Sequence, residues 1–375
     1  MTGVTRMAVS LALRGKAGVS EATRKKVLAA AKRLGYEPDP EVAKFLAHIR
    51  RKAPAGTKAC LALLTSGPTP EAWKHYVTER KYVEGARARA EEYGYRVDEF
   101  WINQPGMTMA RLGNILWSRG IEGVVIAPLQ ERLSGKRSRS IHLDFKLFSS
   151  VEISETVEWP DLDRSNHDQY TSMLKVLDAL AGLKYRTVGL VLEDALDLRV
   201  NGKWAAAYLY YRQRHGTRTM PPPLVMPSPS QKVFDRWFDH HRPDAIVSVD
   251  RFGLRFLERR GLKIPKDIGY ASLDLDGDAE GYPGMSGIDQ NSPLVGAAAV
   301  DMLVAAIQRG QRGVPEHPLR TEIEGTWIPG KTTARRRAAP RRAERVLPGG
   351  RQSRELYVNM HCRLACRRGM VFWQP

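Results

Sequence analysis

The chain repeats one rhythm twice, a short apolar run followed by a longer helical stretch, and few folds accept that rhythm. Residues 60–64 (Cys-Leu-Ala-Leu-Leu) are apolar without alternation and too few for a helix, as in a strand buried on both faces. A helical stretch over 76–93, closed by Gly94, comes next. An extended run at 95–101, a helix at 109–119 and a second buried strand at 123–128 complete the first round. The rhythm restarts with a helix at 168–182. Strands at 187–192, 245–249 and 268–273 then alternate with helices at 204–215 and 253–260, before a helix at 293–309 and a last strand at 321–327. Such alternation predicts an α/β body of βαβ units, with doubly wound parallel sheets and right-handed connections. Two units in series make a two-lobed body over 58–330, the lobe boundary falling near 165–168 and 288–293. A cleft outside the carboxyl ends of the strands is where such a body takes a small molecule.

A different unit precedes the body. Thr5 can cap a helix whose apolar positions are Val9, Ala12 and Leu13, stopped by Gly15. Ser20 caps a second helix with an apolar stripe of Val27, Leu28, Ala31 and Leu34, closed by Gly35. Charge singles out this unit too. Residues 1–52 hold twelve Lys/Arg against four Asp/Glu, and residues 331–375 hold twelve against two. The two ends therefore carry the whole formal charge of +18, and the 278 residues between them are neutral overall. The body has no bulk affinity for a polyanion, whereas both ends do.

The opening stretch resembles the DNA-binding head of the lactose-repressor (LacI-type) family of bacterial transcription regulators. The shared residues are Gly3-Val4-Thr5, Ala8-Val9-Ser10, Gly18-Val19-Ser20, Thr23-Arg24, Val27 and Leu34-Gly35-Tyr36 with Pro38, and later matches run to about Trp327. The resemblance implies a small all-α helix-turn-helix head over 1–38, a hinge over 39–57 and a periplasmic-binding-protein-like body. It implies a homodimer that binds a near-palindromic double-stranded DNA operator, most often as a repressor, and senses a sugar-like small molecule. Arg6 and Met7 fall where the family reads bases. Arginine can bind guanine O6 and N7 together, and methionine offers apolar contact only. Thr5 and Ser10 would hold phosphates, Arg14 and Lys16 would add charge, and Leu46 in Val42-Ala43-x-x-Leu46 fits the leucine wedged into the minor groove. An ordinary linker helix is the other reading of that segment. The family head opens with a further helix packed on the recognition helix, of which Met1-Thr2 would be only the end. The expectation is a start upstream of Met1; failing that, the chain is a soluble sensing module without effective DNA binding.

In the body, Asp197-Leu-Arg199-Val-Asn-Gly202 resembles the family turn whose arginine contacts the effector. A guanidinium can donate to two ligand oxygens together, whether hydroxyls or a carboxylate. Asp274 follows the strand at 268–273, Asp250 ends the strand at 245–249 and Asp168 precedes a helix, three positions that match effector-binding carboxylates. Trp73, His75, Tyr76 and Trp204 offer stacking faces. The alternative for Arg199 and the carboxylates is a set of salt bridges closing the cleft. Val249 stands where the family often has asparagine, so the ligand contacts must differ there.

Other classes find little support. The chain has no Gly-rich phosphate loop, Gly-x-Ser-x-Gly elbow or His-Glu-x-x-His, which predicts a protein that is not an enzyme and needs no cofactor. The alternating carboxylates of Asp274-Leu-Asp-Gly-Asp278 lack the later glutamate of a calcium loop. His361-Cys362 and Cys366 lack a second ligand pair, so no metal is expected. The scattered cysteines, the lack of an apolar stretch of about 18 residues and the lack of a leader-like start predict a cytoplasmic protein without a membrane span. Residues 331–375 read as a basic disordered tail, either an electrostatic nucleic-acid contact or a segment with no selected role.

Overall fold

The computed structural model describes residues 8–9, 12, 18–33, 59–130, 140–215, 220–249, 251–278 and 282–336. Near the start, helix α1 (Glu21–Arg33) begins as its sequence requires: the Ser20 hydroxyl accepts the Thr23 N–H at 3.2 Å. Glu21 lies in its first turn and Lys32 and Arg33 in its last, each sign suited to its end of the helix dipole. Its buried stripe is narrower than expected. Val27 is buried, whereas Leu28, about 100° further round the helix, is 47% exposed.

The body is two parallel sheets flanked by helices. The first lobe is built from β1 (Cys60–Thr65), α2 (Val77–Glu92), β2 (Arg96–Trp101), α3 (Met109–Ser118), β3 (Gly123–Ile126), β4 (Ser149–Ile153) and β5 (Asp163–His167). The second takes α4 (Gln169–Gly182), β6 (Val188–Glu193), α5 (Asp194–Leu198), α6 (Lys203–His215), β7 (Leu224–Met226) and α7 (Gln231–His241). It continues through β8 (Ala245–Ser248), α8 (Phe252–Arg259), β9 (Gly269–Ser272), α9 (Leu275–Asp278) and β10 (Gly287–Asp289). The chain then returns to the first lobe with α10 (Ser292–Arg309) and β11 (Arg320–Ile323), and finishes in the second with β12 (Thr326–Ile328). The sheet orders are β11-β5-β4-β3-β1-β2 and β12-β10-β9-β8-β6-β7. Every pairing is parallel except β10 with β12.

The lobes are joined by three chain crossings: His167 to Gln169, Asp289 to Ser292, and Ile323 to Thr326. From the sequence, the lobe boundary is expected near 165–168 and 288–293. The third divides what reads as one strand at 321–327: β11 pairs with β5 in one lobe, β12 with β10 in the other. Gly325 makes the passage possible, because a Cβ there would stand 2.7 Å from Ser172 Oγ and 2.8 Å from His167 Cε1.

β4 and β5 are absent from the expected strand list because their buried faces are polar. Glu152 is fully buried, and its Oε1 accepts the N–H groups of Thr156 and Val157 at 2.6 and 2.7 Å, with Arg164 Nε 3.5 Å from Oε2. Burial pushes its carboxyl up to about 7, against the pull of Arg164 and those N–H groups. The expected disorder from residue 331 is also corrected. Thr332 exchanges hydrogen bonds with the backbone of Tyr270, and the Arg336 guanidinium lies 5.1 Å from the Tyr185 ring centroid and donates to Asp267 O. Residues 331–336 thus extend the second lobe.

Candidate functional site

The cleft between the lobes holds a cavity of about 320 Å³. Its second-lobe wall starts where β6 ends. The short helix α5 leads into Arg199, and the next turn is fixed by Asn201 and Gly202 in the left-handed region, at φ 54° and 70°. The Gly202 N–H donates to Asp197 O, and Asp197 Oδ1 accepts the Ala205 N–H, so the start of α6 is pinned to the same turn. That places Arg199 and Trp204 side by side on the cavity wall. Asp274, just past β9, is held from behind by the Ser272 hydroxyl, 3.0 Å from its backbone nitrogen. The first lobe supplies the opening turns of α2, with His75, Tyr76, Thr78, Glu79 and Tyr82, while Gln169 and Gln290 come from two of the crossings.

Polar contacts bridge the lobes across this cavity. Arg199 Nη2 lies 3.3 Å from Glu79 Oε1, Thr78 donates to Asp274 Oδ2 at 2.7 Å, and Lys81 pairs with Asp276. A second group bridges elsewhere: Lys203 Nζ is 2.6 Å from both Glu155 Oε1 and Glu322 Oε1, and Asn201 donates to Glu155 Oε2 at 2.7 Å. Burial alone would raise the Glu155 carboxyl, but Lys203 and Asn201 outweigh it and hold the group below the usual carboxylate range. Glu79 goes the other way. Burial pushes it up to about 7, with Arg199 and Gln130 pulling only partly back.

The residues expected at an effector site divide cleanly. Arg199 and Asp274 are both on the cavity wall, and both make contacts across the cleft. His75, Tyr76 and Trp204 join them. Trp73 does not: it is buried in the first-lobe core, its indole N–H donating to Glu99 Oε1 at 2.7 Å. Asp168 caps α4 by accepting the Thr171 N–H at 2.8 Å, and it is the next residue, Gln169, that reaches the cavity. Asp250 lies outside the described residues, although its neighbours Val249 and Arg251 line the cavity. The DNA-contact candidates Thr5, Arg6, Met7, Ser10, Arg14, Lys16 and Leu46 all lie outside the described residues. Glu79 and Arg251 were not anticipated. For Glu79 a signal existed: with Tyr82, Val83, Ala86 and Ala90 it shares the buried stripe of α2, a carboxylate on an otherwise uncharged face.

Among the described residues no group of three or more His, Cys, Asp or Glu could hold a metal ion, and no helix is long and apolar enough to cross a membrane. Asp276 is engaged by Lys81, and His240 and His241 end α7 with their rings in edge contact.

Residues 1–39 match the lacI family of bacterial regulatory proteins, and residues 177–333 match a periplasmic binding protein-like domain. No curated protein matches the chain. Solved structures share its fold at low identity. A complex of the transcriptional regulator CelR with cellobiose is 18% identical with a TM-score of 0.53, over 88% of this chain and 97% of that one. A LacI transcriptional regulator from a Rhodococcus species is 19% identical at 0.55, over 74% and 98%. The lac repressor dimer bound to operator and the anti-inducer ONPF is 18% identical at 0.52, over 89% and 96%.

Proposed function

Because the chain joins a lacI-family regulatory segment to a periplasmic binding protein-like body, we propose that it is a ligand-responsive transcription regulator that works in the cytoplasm as a homodimer on a near-palindromic operator. Repression is the mode this reading favours. The cleft is a binding site without catalytic chemistry, and its ligand is a sugar or related polar metabolite, held by Arg199 and Asp274. The observation that carries the reading is the placement of those two side chains. Both belong to one lobe, and both make polar contacts with the other, across a cavity of monosaccharide-to-disaccharide size. A ligand that takes over either contact changes what holds the lobes together, which shifts the closure equilibrium and through it the hinge and the two DNA-binding heads. Two weak heads on one dimer gain affinity through effective concentration.

Calorimetry of the full chain against neutral mono- and disaccharides, cellobiose among them, tests this. Arg199→Ala should weaken binding of the recognised sugar by about 2–5 kcal/mol, as expected for a buried charge-assisted contact. Unchanged affinity in that variant would remove Arg199 from the site.

A further inference from the structure

Both oxygens of Glu79 are engaged before any ligand enters. Oε1 faces Arg199 across the cleft at 3.3 Å, and Oε2 accepts from the Gln130 amide. The carboxylate is buried, only 7% of its side chain being exposed, whereas the guanidinium keeps 27% open toward the cavity. Among the described residues the remaining wall is balanced in charge: Arg251 and Asp274 offset each other, and the adjacent Lys81–Asp276 pair adds nothing. We propose that Glu79 is a charge filter, compensating Arg199 from the opposite lobe so that this guanidinium accepts neutral polyhydroxylated ligands and rejects their acids. The inference rests on the sugar-class reading of the cleft and settles which oxygens Arg199 can receive, hydroxyls rather than a carboxylate.

The physical reason is crowding of like charge. A ligand carboxylate bonded to Arg199 would share one guanidinium with a buried carboxylate that cannot turn to water. Two like charges about 5 Å apart at an effective dielectric near 20 repel so strongly that an acid binds by driving a proton onto Glu79, which at pH 8 limits the loss of affinity to about tenfold. A hydroxyl pays no such penalty and can still accept from the open edge of the guanidinium. The charged and titratable groups around Glu79 are Arg199 at the end of α5, Tyr82 on its own helix and Asp274 past β9, with the Gln130 amide after β3. Among the described residues Arg251 is the other cation on the cavity wall, with His75 also lining it; Arg251 is offset by Asp274, so it does not replace Arg199 in compensating Glu79. Since burial makes Glu79 protonate near neutrality, the filter should weaken as pH falls from 8 to 6.

The test compares matched pairs by calorimetry on the full chain: glucose with glucuronate, galactose with galacturonate, cellobiose with cellobiouronate. For the recognised sugar, the neutral member should bind about tenfold more tightly than its acid at pH 8, the limit set by protonation of Glu79 at about 7. Glu79→Gln should bring that ratio close to one, both members being measured in the same variant. In the wild-type chain the ratio should also fall between pH 8 and pH 6, a readout that needs no variant to fold. Equal binding of a sugar and its acid by the wild-type chain would overturn the filter while leaving the sugar site standing. So would a ratio that neither Glu79→Gln nor pH moves. Binding of no member of any pair would instead overturn the sugar-class reading of the cleft, and the filter with it.

Discussion

Replacing Gly85 with alanine separates two effects of opposite sign. Gly85 lies inside α2, where helix propensity alone makes alanine better by about 1 kcal/mol. Its neighbour across the interface decides otherwise. A Cβ at Gly85 would overlap the carbonyl oxygen of Pro293 and stand 2.6 Å from its carbonyl carbon and 2.7 Å from its Cα. The contact is reciprocal: a Cβ at Gly296 would overlap the Tyr82 carbonyl oxygen and stand 2.8 Å from its carbon and 2.9 Å from Ala86 N. Backbone meets backbone at both points, so no side chain can swing aside. Carbon atoms pack at about 3.5–4.0 Å, so α2 and α10 must part by roughly 1 Å. Parting them loosens Tyr82, Val83 and Ala86 against Val295, Ala299 and Val300, a buried first-lobe cluster. Overpacking of this kind costs about 3 kcal/mol, the upper end of its usual range, or about 2 after the propensity gain. For a body of this size that is a fall in Tm of roughly 3–4 °C. Scanning calorimetry of Gly85→Ala checks it, with Gly182→Ala as control, since a Cβ at the last residue of α4 would meet nothing within 4 Å. A Gly85→Ala Tm at or above that of the wild type would refute the argument.

Lys203→Met leaves buried Glu155 facing only the neutral amides of Asn166 and Asn201 and should cost about 3 kcal/mol, while the double variant with Glu155→Gln should cost less because no charge is stranded; denaturation curves that show simple additivity would contradict this. Glu152 keeps a proton in the folded chain up to about pH 7 that an ordinary carboxyl at 4.5 releases. Its contribution is therefore full below about 4.5 and is lost as pH rises through 7, amounting to about 3 kcal/mol at most. Glu152→Gln should accordingly flatten the decline of Tm between pH 5 and pH 8. Deleting 337–375, with its nine arginines, should reduce the salt dependence of DNA binding and leave the preference for operator over random DNA unchanged, as measured by titrations at several salt concentrations.

The strands legible in the sequence are those whose buried faces are apolar, such as Leu61 to Leu64 in β1 and Gly123 to Ile126 in β3. β4 and β5 are buried just as deeply but carry Ser149, Ser150, Glu152, Arg164, Asn166 and His167. Hydrophobic patterning is blind to a strand that buries polar and charged side chains, such as Glu152 with its loop N–H donors and Arg164 beside it. The double identity of residues 321–327 was hidden for another reason. Both strands are short and half-exposed, and nothing local in Glu324-Gly325 says that the chain changes sheets there. The crowding of Gly325 against Ile288, Ser172 and His167, residues distant in sequence, requires that glycine.

The cleft was legible on one side. Its second-lobe half follows strand ends and tight turns, where Arg199 and Asp274 stand out as charges at the carboxyl edge of a parallel sheet. Its first-lobe half is the buried stripe of α2 and the polar ends of β4 and β11, and Thr78, Glu79, Glu155 and Glu322 become partners only once two lobes close on each other. The energetics of the site lie in that pairing. Arg199, Asp274 and Lys203 each reach a group of the opposite lobe, so a ligand bonded to Arg199 or Asp274 competes with, or adds to, a bond between lobes. On the proposed reading, its effect on closure is set by how well it replaces Glu79 and Thr78, while the Lys203 bridges lie apart from the cavity wall. Ligands that reproduce those bonds leave closure unchanged, and ligands that strengthen them drive it.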